Sequence, residues 1–495
     1  MKCPFNVSNR RVKSRLLQGL ALLLIICLFL LAAVTAYQSW HRQRLIYLAQ
    51  RIYLKLSNLP NFSNSDRILI IAPHSDDEGL CCTGIIHRAV STGCPVKIVV
   101  ITNGDGFRYG VDYNYHKPLP KQSDYIKFGC QRQAETRTAM VRLGVKEQNI
   151  IFLGYPDRGI ASLWQRNWDY GNPYLSPYTR TSRSPYKDSY TSRAVYCGQS
   201  LLKDLSSIMH DYRPTRIFTS HPGDQHPDHW ATCCFTLSAI ENEGLERPYF
   251  KAPLLYSYLT HWHRWPDPRM IALSLPLAPP WQLADLGYIW HRMDISSGVV
   301  QIKLRIIDTY KSQVNMFRTY MGSFARKNEL FCLYLARVVP LVDVDHIKID
   351  GQVNDWLFSE PLILDTVNDS LWRDIEGSGD VVSVTALRDE KHLYLLLRMR
   401  KQISTQIDYR INMMPLPTHP SGLIGVSIHP GKPAEISNSG TPSETGIKYA
   451  WDNNYLEMKV PLQMIGGPSV MLDCETFRGR FTVDRSAYRD LYLTD

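Results

Sequence analysis

Two short stretches of the chain carry side chains that could perform chemistry. The first is His74-Ser-Asp-Asp-Glu78, which follows an apolar run. The second extends from His221 to His229 and holds three histidines and two aspartates in nine residues. A polar turn with a helix-capping aspartate is an alternative explanation of the first stretch. Together the two stretches indicate a His/Asp/His metal set with one position left for water, the arrangement of hydrolytic zinc sites.

Both stretches follow predicted strands. Four short segments predict these strands, at 67–72, 96–102, 149–153 and 215–219, and the first three are mostly apolar. Helical patterns separate them, at 79–92, 128–143 and 200–212. Strands that alternate with helices predict right-handed crossovers and an α/β fold with a Rossmann-like, mostly parallel sheet covered on both faces. Because the carboxyl ends of such strands meet at one crevice, we expect the two reactive stretches to lie together.

Two long insertions interrupt this alternation, at 105–127 and 161–194. The second holds five tyrosines: Tyr170, Tyr174, Tyr178, Tyr186 and Tyr190. Loops of this length are usually functional lids or surface excursions, and tyrosines suit a polar ligand such as a sugar. A mobile surface loop is the alternative interpretation.

The pattern changes at about residue 342 to short strands separated by turns. Apolar and polar residues alternate at 346–356, 380–389, 392–399 and 454–462. This period of two predicts an antiparallel β-sandwich in the C-terminal third.

The net charge of +10 is concentrated at the N-terminus. Residues 1–60 hold nine Lys or Arg and no Asp or Glu, so the remaining chain is nearly neutral. A nucleic-acid-binding protein needs clustered cations on its folded surface. The charge distribution therefore predicts no nucleic-acid partner.

Those N-terminal cations flank an apolar run at 19–37, interrupted only by Thr35. At about 1.5 Å per residue the run spans roughly 28 Å, close to the hydrocarbon thickness of a membrane, about 30 Å. Five cations precede it and four follow, which favours a single-pass anchor with the bulk of the protein outside the cytoplasm. A cleaved signal peptide, with its cleavage site near Val34-Thr35-Ala36, and a cytoplasmic-facing topology stay open.

The two reactive stretches resemble the motifs of the PIG-L/LmbE-like family of zinc-dependent N-acetylglucosaminyl deacetylases. These motifs are Pro73-His-Ser-Asp-Asp-Glu78 and Pro222-Gly-Asp-Gln-His-Pro-Asp-His229. Three weaker matches occur in the same order: Arg132-x-x-Glu135, Tyr155-Pro-Asp157-x-Gly159 and Tyr310-Lys-Ser-Gln313. The resemblance covers about 65–330. Ser75 departs from it, because the family usually has proline there, which would fix φ and stiffen the loop.

The resemblance implies a role for each matching residue. It implies that His74, Asp77 and His229 bind zinc, that Asp76 is the general base, and that His226 stabilises the oxyanion or protonates the leaving amine. It also implies that Arg132 and Asp157 contact the sugar. The alternatives are a helix-surface ion pair between Arg132 and Glu135, and a turn-forming role for Asp157.

The C-terminal third resembles family-nine-like carbohydrate-binding modules. The similarity lies in an Ile-Asp-Gly…Asp-Trp opening, a central hairpin and a late Glu-x-x-Val-Pro-Leu-type strand. It implies that Trp356 is a core residue, and Trp372 and Trp451 are the candidates for stacking on a sugar.

These observations predict four segments: an N-terminal basic segment and anchor at 1–45, a linker at 46–64, a deacetylase domain at 65–340 and a sugar-binding sandwich at 342–495. The predicted function is hydrolysis of the acetamide of an N-acetyl amino sugar in a glycan, glycolipid or envelope polymer, with Zn2+ as cofactor. An amidase acting on another acyl-amine and a non-catalytic glycan-binding protein are the alternatives.

Overall fold

The structure is a computed structural model of the chain, and it describes residues 8–246, 251–344, 346–369, 377–417, 422–437 and 446–494. It has a long N-terminal helix, a mixed α/β region and a C-terminal pair of antiparallel sheets. The candidate sugar-stacking residue Trp372 lies outside the described residues.

An eight-stranded sheet forms the centre of the α/β region. Its strands are β1 (Ser57–Asn58), β2 (Ile68–His74), β3 (Val96–Thr102), β4 (Ile150–Tyr155), β5 (Arg216–Ser220), β6 (Leu254–Tyr258), β7 (Ile289–Asp294) and β8 (Asn328–Leu333). They are arranged in the order β1-β7-β8-β6-β5-β2-β3-β4. All neighbouring pairs are parallel except those of β8, which is antiparallel to both β6 and β7. The prediction of a mostly parallel sheet is confirmed.

Helices cover both faces of this sheet. In chain order, the α-helices before the C-terminal sheets are α1 (Ser8–Lys55), whose apolar span is exposed, α2 (Asp77–Cys81), α3 (Thr83–Ser91), α4 (Arg108–Tyr115), α5 (Gln122–Arg142), α6 (Ile160–Gln165), α7 (Gly198–Tyr212), α8 (Pro227–Glu246), α9 (Trp281–Ala284), α10 (Ser297–Ile307) and α11 (Lys311–Gly322). Strand β2 is buried along its whole length. Alternate β2 residues contribute to two different apolar clusters, because successive side chains of a strand point to opposite faces.

The C-terminal sheets form a β-sandwich. One sheet contains β10 (Ile363–Leu364), β11 (Val381–Arg388), β12 (His392–Met399), β16 (Lys448–Asp452) and β17 (Tyr455–Pro461). The other contains β9 (Arg337–Val338), β13 (Asp408–Leu416), β14 (Ile424–Ile428), β15 (Glu435–Ser437), β18 (Ser469–Arg478), β19 (Phe481–Arg485) and β20 (Arg489–Tyr492), and a short helix α12 (Leu462–Ile465) follows β17. A shared apolar core lies between the two sheets. Trp356 is buried and donates to the Glu457 carboxylate, so it is the core residue that the sequence predicts.

The sandwich and the α/β region share a second apolar core. Met414, Leu416 and Tyr488 of the sandwich pack in the same cluster as side chains of α6, α7 and α8. Tyr488 stacks on Trp230 with 5.3 Å between ring centroids. The boundary predicted near residue 341 therefore separates two units that bury apolar surface against each other.

Helix α1 extends well beyond the apolar run. Within the part of the chain that the structure describes, residues 17–55 form a helix that is long and apolar enough to cross a membrane, although a signal sequence passes the same test. The segment predicted as a linker, 46–64, contains regular secondary structure. Residues 46–55 continue α1, and 57–58 form β1, which pairs with β7. Tyr53 fixes the end of the helix, because its hydroxyl donates to Asp294 over 2.8 Å.

Candidate active site

The first reactive stretch connects β2 to α2. His74 is the last residue of β2, and Asp77 is the first of α2. Asp76, between them, has a φ of 124°, a strained backbone conformation for a residue with a Cβ. The Asp76 amide donates to the Glu78 carboxylate, which also accepts from Tyr310 and Thr136. These buried contacts hold the connecting loop in a conformation in which the side chains of Asp76 and Asp77 face different neighbours.

The second stretch connects β5 to α8. His229 lies in the first turn of α8, and its carbonyl accepts from the Ser220 hydroxyl at the end of β5. The two parallel strands β2 and β5 are neighbours in the sheet, so their carboxyl ends bring the stretches together. The sequence predicts this proximity of the two reactive stretches.

Three donor atoms converge where the stretches meet. His74 Nδ1 lies 3.1 Å from His229 Nε2 and 3.4 Å from Asp77 Oδ2. The remaining distance, from His229 Nε2 to Asp77 Oδ2, is 3.3 Å. Ligands of a tetrahedral zinc ion with bonds of about 2.0–2.1 Å are ~3.3–3.4 Å apart. The donor types and their separations therefore fit a zinc ion held by His74, Asp77 and His229.

Carboxylates lie behind both imidazoles of this triangle. His74 Nε2 is 3.2 Å from Asp228 Oδ2 and 3.3 Å from Asp157 Oδ1, and His229 Nδ1 is 3.3 Å from Asp224 Oδ2. Backbone N–H groups fix these carboxylates. Asp228 accepts hydrogen bonds from the amides of Arg158 and Ile160, and Asp224 accepts them from the amides of His226, Thr260 and His261. Carboxylates in such positions orient metal-binding histidines. Sequence reasoning assigned no role to Asp224 and Asp228, although both lie within the second motif.

Asp76 lies beside the triangle and pairs with Arg132. Arg132 Nη2 donates to Asp76 Oδ2 over 3.0 Å and to the Ser75 carbonyl over 2.5 Å. Burial, with the neighbouring charges of Asp77 and Glu78, raises the pKa of Asp76 to about 7 against the opposing effect of Arg132. A carboxyl group with such a pKa suits proton transfer near neutral pH.

His226 lies on the open side of the triangle. Its ring centroid is 4.8 Å from that of His74 and 5.2 Å from that of His229. Burial and the neighbouring His74 lower the pKa of His226 well below its usual range. Its Nδ1 accepts the Asp228 amide over 3.3 Å, so the neutral ring carries its proton on Nε2. His226 can therefore donate a hydrogen bond to a ligand.

Arg132 and Asp157 reach the same site from more distant parts of the chain. The ion pair proposed as the alternative for Arg132, with Glu135, is wrong: Arg132 pairs with Asp76, and Glu135 accepts from the backbone amide and hydroxyl of Ser312. Asp157 is not only a turn former, because one of its oxygens faces His74 and the other accepts the Gly106 amide over 2.7 Å.

His261 is a further residue of the site that sequence reasoning missed. Its ring centroid lies 4.7 Å from that of His229, and burial together with the charge of His229 lowers the pKa of His261 to about 4. His261 follows β6 outside any recognised motif, so no spacing signal pointed to it. Only the sheet order, which places β6 beside β5, brings it here.

A cavity of about 430 Å³ opens above these residues. Its floor includes His74, Asp76, Asp77 and His226. Aromatic and polar side chains form its walls: Phe107, Trp262, Phe317, Tyr320, Arg158, Gln225, Arg269 and Gln313. The five tyrosines of the second insertion, all within the described residues, do not line it. Tyr186, for instance, is buried and bonded to Asp105. The cavity is large enough for a small ligand, since such sites usually measure about 300–1,000 Å³.

Comparison with known proteins decides the family of this segment. The model of the PIG-L family, described as GlcNAc-PI de-N-acetylase, matches residues 69–240. These residues form a PIG-L family domain. The PIG-L domain contains all seven predicted site residues: His74, Asp76, Asp77, Arg132, Asp157, His226 and His229. His261 and several wall residues of the cavity, such as Trp262 and Tyr320, lie beyond it.

One curated relative and several solved structures are similar to the chain. The relative is the 1D-myo-inositol 2-acetamido-2-deoxy-alpha-D-glucopyranoside deacetylase of Tsukamurella paurometabola, 27% identical over 180 residues, which are 35% of this chain and 55% of the relative. The chain thus spans about half the length of the curated relative that it matches.

Two of the solved structures are from thermophiles. They are the N,N'-diacetylchitobiose deacetylase of Pyrococcus horikoshii (18% identity, 60% of this chain and 91% of that one, TM-score 0.34) and a conserved protein of Thermus thermophilus (19% identity, 57% and 98%, TM-score 0.34).

Proposed function

We propose that the protein is a zinc-dependent deacetylase that hydrolyses the acetamide of an N-acetylated amino sugar in a glycan, glycolipid or envelope polysaccharide. The observation that carries the proposal is the triangle of His74, Asp77 and His229 donor atoms on a cavity floor that Asp76 and His226 share. The PIG-L family domain supports it, as does the name of the curated relative, a deacetylase of an acetamido sugar.

Each side chain of the site has a role in this reaction. Zinc bound by the triangle would lower the pKa of a water molecule and polarise the acetamide carbonyl. Asp76 accepts a proton from the attacking water, and Arg132 holds the Asp76 carboxylate in place for that transfer. His226 donates a hydrogen bond from Nε2 to the oxyanion that develops on the former carbonyl oxygen, and the proton that Asp76 has accepted passes to the leaving amine.

The cavity walls suit a sugar. Aromatic faces such as those of Trp262 and Tyr320 pack against sugar rings, and polar groups such as Gln225 and Gln313 bond to hydroxyls. Arg132 and Asp157 also line the cavity, although their polar groups are engaged by Asp76 and His74. The sugar contacts assigned to these two residues stay predictions.

We place the protein at a membrane through α1, with the catalytic region outside the cytoplasm. The charge asymmetry around the apolar run and the continuity of α1 support this placement. A reporter fused to the C-terminus fixes the side of the membrane. Mass spectrometry of the mature N-terminus separates an anchor, which keeps residues 1–36, from a cleaved signal peptide.

Zinc content and acetate release from N-acetylglucosamine oligomers test the proposed reaction on the purified full-length chain. We expect about one zinc per chain and release of acetate. Asp76→Ala should abolish release while zinc is retained, whereas His74→Ala should lose zinc. Turnover by Asp76→Ala would refute the assigned base. Sugar binding without zinc or acetate release would favour a glycan-binding protein instead.

A further inference from the structure

The second half of α1 packs on the α/β region with one face. The side chains on that face are buried or half-buried and recur at helical spacing: His41, Leu45, Ile46, Leu48, Ala49, Ile52 and Tyr53. Intervening residues such as Tyr47 and Leu54 are exposed. Arg292 donates to the Tyr53 carbonyl over 3.1 Å, and β1 then joins the sheet. The apolar span and the catalytic region are therefore connected without a flexible joint.

The segment 262–282 forms part of the surface against which α1 packs. Leu45, Ala49 and Ile52 line a small cavity together with Trp265 and Trp281 of this segment. Trp262 and His263 line both that cavity and the candidate active-site cavity. The same segment thus contacts the helix and borders the mouth of the active site.

This segment lies close to the end of the apolar span. Tyr37 and Trp40 are exposed aromatic residues at that end, where aromatic side chains sit at the membrane–water interface. Leu45 is five residues after Trp40, about 7.5 Å along the helix axis. Asp267 of the segment lines the same small cavity as Leu45. A headgroup layer is about 5–7 Å thick, so Leu45 lies near its outer edge, and long side chains of the segment that packs on Leu45 can extend into the layer.

The exposed side chains of the segment have the chemistry of a lipid-headgroup contact. Trp281 is 62% exposed and Ile271 is 37% exposed. The cations Arg264 and Arg269 are exposed between Trp262 and Ile271. Exposed Trp beside Arg is the composition that favours the interfacial layer of a membrane and attraction to its anionic lipids.

We propose that the segment 262–282 rests in the headgroup layer of the membrane that α1 enters, and that Trp281 and Ile271 are its apolar contacts. The mouth of the active site then opens at the membrane surface, where it meets substrates held at that surface. This inference rests on the proposed α1 anchor and not on the proposed reaction.

Spin labels measure the depth of this segment directly. The full-length chain, with Cys3, Cys27 and Cys130 replaced by Ser, is reconstituted into phosphatidylcholine–phosphatidylglycerol vesicles with a label at Trp281→Cys. A label at Phe481→Cys, an exposed position of the sandwich, is the matched control. Collisions with oxygen and with a water-soluble nickel complex then report the depth of each label.

We expect the label at 281 to lie within about 5 Å of the phosphate level and the label at 481 to be fully aqueous. If Trp281→Cys does not fold, a label at Ile271→Cys is used in place of the label at 281. Aqueous behaviour at either position, matching that at 481, would overturn the proposal. Acetate release from soluble oligomers is measured on the same samples, so a failure of the proposed reaction is seen separately.

Discussion

The same Nη2 atom of Arg132 donates to the Asp76 carboxylate, 3.0 Å away, and to the carbonyl of Ser75. Arg132 thus holds both the side chain of the proposed base and the backbone next to it, where φ is strained. Arg132 is itself fixed, because its other terminal nitrogen donates to the Gly104 carbonyl over 3.0 Å. The interaction joins α5 to the β2–α2 loop, so a residue distant in the chain supports the first reactive stretch.

Replacing Arg132 should therefore impair the base without removing the metal. We expect Arg132→Met to lower kcat about 100-fold, since a misplacement of the order of 1 Å costs that much, while zinc content and KM change little. Arg137→Met is the control, because Arg137 lies on the same helix but pairs with Asp188. A large rise in KM with unchanged kcat would indicate that Arg132 binds the sugar instead.

Asp224 should control the affinity of the metal site through His229. Asp224→Asn removes the charge 3.3 Å from His229 Nδ1, and loss of such a carboxylate typically weakens metal binding about 10–100-fold. Competition with a chromogenic chelator measures the zinc affinity. Asp211→Asn, an exposed charge change on the neighbouring α7, should leave it unchanged. Equal zinc affinities of the two variants would contradict the assigned role.

The interface between the sandwich and the α/β region should contribute strongly to stability. Tyr488 is fully buried there against Trp164 and Trp230. Tyr488→Ala should lower the free energy of unfolding by about 3–5 kcal/mol, the usual cost of truncating a buried aromatic residue. Urea denaturation measures the change. Phe358→Ala, at a fully exposed aromatic side chain of the sandwich, should cost about 0.5 kcal/mol or less, and similar losses from both variants would refute the prediction.

Asp490 should make stability depend on pH. Burial and the nearby charge of Glu241 raise the pKa of Asp490 to about 8, from 3.8. Between these pH values the folded chain keeps a proton that the unfolded chain releases, so the contribution of this group to stability falls as pH rises from 3.8 to about 8. Asp490→Asn should remove that fall and gain stability relative to the wild type as the pH increases. Denaturation at several pH values measures the free energy of unfolding of both proteins. A difference between the two free energies that does not change with pH would contradict the prediction.

Local sequence patterns predicted the elements that carry the motifs. The run at 96–102 coincides with β3, and the runs at 67–72 and 215–219 fall within one or two residues of β2 and β5. Strand β2 begins with a continuous apolar run because both of its faces are buried. The helix predicted at 79–92 divides at Cys82, whose φ of −121° is not helical. Strand β8, antiparallel to its neighbours, was not predicted, since its direction depends on partners distant in the chain.

The contacts that hold the site residues in place could not be predicted from local sequence patterns. The positive φ of Asp76 follows from contacts with Arg132 and Glu78, which no spacing rule for an aspartate encodes. His261 joins the site only because β6 pairs with β5. The tyrosines of the second insertion were expected to suit a ligand, yet their positions depend on tertiary contacts such as the Tyr186–Asp105 bond.

Helix α1 contains neither Gly nor Pro between Leu20 and Lys55, and it has no break over that length. In the proposed arrangement α1 anchors the protein, and its length also sets the distance between the bilayer and the catalytic cavity. Inserting four residues between Trp40 and Leu45 would lift the cavity by about 6 Å and rotate it by about 40°. Substrates in a thin layer above the lipid would then pass out of reach, while soluble oligomers would be deacetylated as before.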